Sequence, residues 1–176
     1  MAPLASFAGF ERSLEEAIAN PLLPAQVLGV LCIDVRGAWR SEGAVEELVG
    51  AMTLTLAEFS RLGYMATRLG PGTVPGHEDP ATTRAMFAVH LPNQDASSCV
   101  PLIRSLWSRL HAHHLPRVPP RGGGVSYCAA LAPLDPHWKA GAAVESAVSR
   151  WWAAVLEELA RNLEQGGDQV TVLQEA

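Results

Sequence analysis

Few stretches of this sequence carry side chains whose type and spacing could do chemistry, and each points a different way. HAHH places His111 and His114 at i and i+3, a spacing at which two imidazoles on one helix can hold zinc. No cysteine or carboxylate follows within the usual short spacing, so these histidines read as a solvated helix end. Cys32, Cys99 and Cys128 are odd in number, widely spaced, and each sits in an apolar run. Nothing near them would stabilise a thiolate, so they read as buried, reduced thiols. Ser126 lacks the flanking glycines of a nucleophile elbow. The glycine run 122–124 precedes a strand instead of opening a helix, so it is no ordinary phosphate cradle. More informative is RLGYMATRLGPGTVPGHEDP at 61–80, where Arg61 and Arg68 bracket Tyr64 and the acids Glu78 and Asp79 follow in a broken turn. Guanidinium groups grip phosphate and a tyrosine ring can stack on a base. Arg61 equally fits a plain cation at a helix end. Asp34 stands alone at the end of an apolar stretch, where it reads as a strand-end acid bonded to a neighbouring turn.

These residues need elements to hold them. With 176 residues, 48% of them hydrophobic and 18% charged, the chain can bury a core of one domain's size, and 1–176 is expected to be a single domain. A formal net charge of −5 disfavours nucleic acid and anionic membranes, which need clustered Lys and Arg. No apolar segment approaches the roughly 20 residues of a membrane span. The first residues lack a basic region followed by a long apolar one. A cytoplasmic protein without membrane insertion is expected.

Phe7, Phe10, Leu14 and Ile18 recur at helical spacing and predict a first helix ended by Asn20-Pro21. The continuous apolar run 27–35 predicts a central strand buried on both faces. Val45, Leu48, Met52, Leu56 and Phe59 predict a second helix. GYMATRL and AMFAVHLP predict two strands joined directly. NQDA at 93–96 caps a third helix with the buried stripe Val100, Ile103, Leu106, Trp107 and Leu110. GVSYCAALAP is a further strand, a last helix runs to the glycines at 166 and 167, and QVTVL closes the chain as a short strand. The order α-β-α-β-β-α-β-α-β predicts an α/β fold, a mixed central sheet covered by helices.

In this order, these residues resemble the GGDEF domain of diguanylate cyclases, a nucleotidyl cyclase-like palm. FERSLEEAI at 10–18 is similar to the helix before the first strand, and VLCID puts Asp34 at the position of an acid that holds Mg²⁺ in active members. Arg61 falls at the start of the RxxD motif. Arg68-Leu69-Gly70 leads into the signature turn, and the strand resumes at Phe87 to end in LP. VSYCAA and LEELARNLEQGGDQV are similar to the closing strand and helix of the family.

What that resemblance implies about activity depends on the departures. Where the family has its glycine turn and metal-binding acid, this chain has Gly70-Pro71-Gly72-Thr73 and an insertion over about 71–85. Proline has no N–H for a phosphate, and a threonine hydroxyl does not replace a carboxylate on Mg²⁺. The connection RGAWRSEG lacks the asparagine and the GHxxGD turn that read guanine. Asp34 is therefore expected to be vestigial, no cofactor is expected, and the chain is expected not to be an enzyme. Its expected role is that of a regulatory or scaffolding module in bacterial signalling, partnered by another protein or by itself as a homodimer. The alternative is a cyclic di-GMP effector using Arg61, Tyr64 and Arg68, with Tyr64 standing where the motif has Asp. Least favoured is a residual Mg²⁺-dependent cyclase in which the acids at 78 and 79 join Asp34. For protein contact, Trp151 and Trp152 point about 100° apart on one helix, so one is expected to leave the core. Trp39 and Trp138 fall in polar loops and are further candidates for an interface.

Overall fold

The computed structural model describes residues 4–20, 25–35, 44–70, 84–110, 112, 125–139, 143–166 and 169–174. Its centre is the apolar run 27–33, which forms the middle of strand β1 (Gln26–Val35) and is fully buried. Such a strand can only be stable with partners on both edges and a layer on both faces. It has both. β1 pairs antiparallel with β3 (Arg84–Pro92) and with β4 (Val125–Pro133). β2 (Met65–Leu69) adds antiparallel to β3, and β5 (Val170–Val172) adds parallel to β4. The result is a mixed sheet in the order β2-β3-β1-β4-β5, the architecture the element order predicts.

Among the described residues four α-helices cover this sheet: α1 (Phe7–Ala19), α2 (Ala44–Ser60), α3 (Ala96–Arg109) and α4 (Val144–Glu164). Because side chains alternate along a strand, β1 feeds two cores. Val27, Leu31 and Ile33 meet Leu48, Met52 and Leu56 of α2 and Ile103 and Leu106 of α3. Leu28, Val30 and Cys32 meet Phe10 and Leu14 of α1 and Trp151 and Val155 of α4. All three cysteines are buried and none forms a disulfide. No described helix is long and apolar enough to cross a membrane.

Caps set the helix boundaries. Ser6 accepts from the Gly9 amide at 3.1 Å to start α1, and Asp95 accepts from the Ser98 amide at 2.8 Å to start α3. Asp95 is the capping residue within the predicted NQDA stretch. Asn162 was given no role by the sequence, yet its Nδ2 donates to the Ala129 and Gln169 carbonyls at 3.0 Å each and ties α4 to β4 and the approach to β5. The outer edge of β2 is met by the start of the chain: the Ala5 amide donates to Ala66 O at 3.0 Å, and Thr67 Oγ1 donates to Ala5 O at 2.8 Å. An exposed edge would invite foreign strands, and this segment blunts it. A short 3-10 turn (Pro136–Lys139) between β4 and α4 was not foreseen.

Of the insertion expected over about 71–85, residues 71–83 lie outside the described residues, while Arg84 and Ala85 pair with Asp34 and Ile33 as the first residues of β3. Trp39, Glu78, Asp79, His111, His114 and the glycines 122–124 lie outside the described residues.

Gly29 sits in the middle of β1, opposite Val89 on one side and Leu131 on the other. A Cβ there would lie 2.9 Å from both Leu131 Cδ2 and Val89 Cγ2. Gly29→Ala should therefore cost about 1–3 kcal/mol through overpacking, read as a lower urea midpoint at unchanged slope. An unchanged midpoint would show that the neighbouring strands yield freely.

Candidate functional site

Asp34 reaches the end of β1 from which the β2–β3 connection leaves. Its register partners are Arg84 on β3 and Ser126 on β4, while Leu69 closes β2 opposite Met86. Asp34 is only 9% exposed and Ser126 is buried beside it. Among Asp34, Leu69, Arg84 and Ser126, the residues at the four strand tips, Asp34 is the one carboxylate. Among the described residues no three His, Cys, Asp or Glu side chains gather as a metal site. Magnesium demands a near-octahedral oxygen shell, usually one or two carboxylates with water and substrate phosphates. The described residues supply one such oxygen ligand group and do not build the site by themselves.

Arg61, Tyr64 and Arg68 lie along the turn after α2 and the edge strand β2. Arg61 and Arg68 are exposed, and Tyr64 is half-buried. Gly63, with φ +87°, makes the turn between Arg61 and Tyr64, a conformation that glycine adopts without strain. Tyr64, Ala66 and Arg68 alternate onto the face that packs against α2 and α3. Tyr64 and Arg68 are thus on one side of the strand but about 13 Å apart along it. The Tyr64 ring lies 5.7 Å from that of Phe59, and its hydroxyl accepts from Gln94 Nε2 at 3.4 Å. Tyr64 is therefore held by protein contacts on its ring and on its oxygen.

The tryptophans divide differently from expectation. Trp151 is removed from the interface candidates: it is wholly buried, and its Nε1 donates to Ala132 O at 2.8 Å. Trp152 is half-buried, with its ring 5.9 Å from those of both Phe7 and Phe10. The two indoles diverge around α4, but α1 supplies a second apolar surface that half covers the diverging ring. Trp138 also packs, half-buried, against the core shared by α1 and α4. Among the described residues the exposed large apolar side chains are instead Leu62 at 61%, Met65 and Val144.

At the opposite end of the sheet lies a polar group that the sequence reading missed. His90 Nε2 is 2.7 Å from Gln26 Oε1, and His90 Nδ1 is 3.2 Å from Ser13 Oγ. His90 and Gln26 are both buried. Burial holds the His90 pKa down at about 4, so the ring is neutral at ordinary pH. The signal was present: a histidine in the apolar strand AMFAVHLP must find partners where the strand is covered. Burial, reinforced by the Asp95 carboxylate, pushes the Cys99 thiol up to about 12, which makes it inert as a nucleophile.

No protein-family description matches the sequence, and no curated protein matches it. Solved structures do match in fold. The GGDEF domain of DgcB from Caulobacter crescentus, in complex with c-di-GMP, superposes with a TM-score of 0.61 at 17% identity, covering 98% of this chain and 90% of that one. A structure of the coiled coil and GGDEF domain of the same protein, also in complex with c-di-GMP, gives 0.60 at 18% identity over 96% of this chain and 81% of that one. The chain has the fold of a GGDEF domain.

His90 generates a pH prediction. Its pKa is about 4 when folded and about 6.5 when unfolded. Below pH ~6.5 the unfolded chain takes up a proton that the folded chain refuses, so this residue destabilises the fold progressively down to pH ~4, by about 3 kcal/mol in all. Above pH ~6.5 it contributes no pH dependence. In His90→Gln this component should vanish, so the stability difference between variant and parent, followed by chemical denaturation, should change across that window. A constant difference would refute the assignment.

Proposed function

We propose that this chain is a GGDEF-like module without catalytic activity that acts by contact, as a regulatory or scaffolding component of bacterial cyclic di-GMP signalling. Its partner is another protein or a second copy of itself. One combination carries the reading: on a GGDEF fold, the described strand tips offer a single carboxylate, Asp34, and the sequence that follows β2 reads Gly70-Pro71-Gly72-Thr73, of which 71–73 lie outside the described residues. Phosphoryl transfer between nucleotides is largely positioning and charge neutralisation. A turn with an imino acid and a hydroxyl in place of backbone donors and a metal-binding acid supports neither. The apolar surface for a contact lies in the turn after α2, where Leu62 and Met65 are exposed on either side of Gly63 and Tyr64.

A second reading takes the same turn as a cyclic di-GMP site. It is supported by the similar DgcB structures, which are complexes with c-di-GMP, and by the exposed guanidinium groups of Arg61 and Arg68. Against it, the RxxD acid is replaced by Tyr64, whose ring and oxygen are already engaged.

Incubation with GTP and Mg²⁺ should leave the nucleotide unchanged by chromatography, and a cyclic dinucleotide product would overturn the proposal. Titration calorimetry with cyclic di-GMP should give no heat. Heat that is abolished in Arg61→Ala would establish the second reading in its place. For the contact itself, Leu62→Asp should weaken self-association in sedimentation or recovery of a partner by pull-down, with Trp152→Ala as the test of the half-buried indole. Association unaltered by both would refute this surface.

A further inference from the structure

About 27 Å along β1 from Asp34, a cleft of about 290 Å³ opens between α1 and the ends of β1, β2 and β3. One face of α1 forms a wall, with Glu16, Ala17 and Asn20. Met65 and Pro92 add apolar sides, and Gln26, His90 and Ser13 line the polar part. Gln26 is 2% exposed, its Oε1 lies against His90, and its Nε2 meets no protein partner.

Counting protons shows that this unmet position does not depend on which way the amide is turned. The Ser13 hydroxyl has one hydrogen and two claimants, Phe10 O at 2.7 Å and His90 Nδ1 at 3.2 Å. If the hydrogen goes to His90, then His90 Nε2–H donates to Gln26 Oε1 and the Gln26 NH₂ is left over. If it goes to Phe10 O, His90 Nδ1–H donates to Ser13, Nε2 becomes an acceptor, and the amide must turn its NH₂ towards it. Gln26 Oε1 is then left over. A buried amide atom without a partner costs about 1–3 kcal/mol; this atom is itself shielded from solvent, but Gln26 lines the cleft, so a ligand there would meet it through a small turn of the amide.

We propose that this cleft binds a small, non-anionic molecule with an amide-like edge, an N–H beside a C=O, that completes the hydrogen bonding of Gln26. Such an edge serves either orientation of the Gln26 amide. Charge sets the other limit: Glu16 is the one carboxylate among the lining residues, and no Lys or Arg accompanies it. Phosphates and carboxylates are therefore disfavoured, and nucleotides with them. The volume lies at the small end for ligand pockets, enough for one ring with a substituent. Ala17, Met65 and Pro92 offer such a ring its apolar contacts. The site is separate from the Asp34 end; it borders the turn after α2 through Gly63 and Met65 without including Arg61, and it does not depend on the functional reading above.

Nicotinamide and nicotinate make the test, since they share a ring and differ in amide against carboxylate. In ¹⁵N-labelled protein, nicotinamide should shift the Gln26 side-chain NH₂ and the His90 ring signals with a Kd of about 1 mM or tighter, and nicotinate should bind at least about tenfold more weakly. Gln26→Glu should weaken nicotinamide by about tenfold or more while the β1 and β3 amide signals persist. Should that buried substitution prevent folding, Glu16→Lys on the exposed helix face decides, because it should admit nicotinate and close the gap between the probes. No shift with nicotinamide, equal shifts with both probes, or shifts mapping to the Asp34 end of the sheet would overturn the proposal.

Discussion

The rest of the structure depends on one strand being dry on every side. From Val27 to Ile33 each residue of β1 is buried, and the strand is hydrogen-bonded along both edges, to β3 and to β4. Its odd residues complete the core with α2 and α3, and its even residues complete the core with α1 and α4. Neither layer could be removed without exposing half of the strand. Gly29 shows how closely the sheet is drawn together, since Val89 and Leu131 occupy the space a methyl group would need.

A strand so fully buried confines polar chemistry to its ends. Desolvating an unpaired polar group in mid-strand would cost several kcal/mol, so the polar side chains of β1 are Gln26 at its first position and Asp34 near its last. The two ends are treated differently. Around Asp34 the neighbouring strands contribute Arg84 and Ser126 in register, and the long connection from β2 to β3 departs beside them. Around Gln26 the neighbours are His90 and Ser13, a neutral set joined by hydrogen bonds beneath α1. One end has a lone carboxylate on β1 with Arg84 and Ser126 in register. The other has buried polar groups and a cleft.

The helices were legible because their apolar spacing and caps are local: Phe10, Leu14 and Ile18 in α1, and Asp95 before α3, settle their elements within a few residues. The strands were legible for the same reason, and β2 does pair antiparallel with β3 as expected of successive strands. The aromatic residues were not. An angle of about 100° between Trp151 and Trp152 implies divergence, but whether the diverging ring meets water depends on what else covers α4, and Phe7 and Phe10 do so. Exposure of Leu62 and Met65 was hidden likewise, because an apolar residue in a turn carries no mark of what lies above it.

By itself, then, the sequence determined the alternation of elements and the strand that both cores share. These follow from properties of single residues and their near neighbours: the period of a helix and the burial that a continuous apolar run demands. Tertiary structure alone decided which indole is buried, that Tyr64 is occupied by Phe59 and Gln94, and that Ser13, Gln26 and His90, up to 77 positions apart, share hydrogen bonds. Contacts of that kind arise only when the sheet brings distant segments together, and no local pattern in the chain encodes which distant side chains will meet.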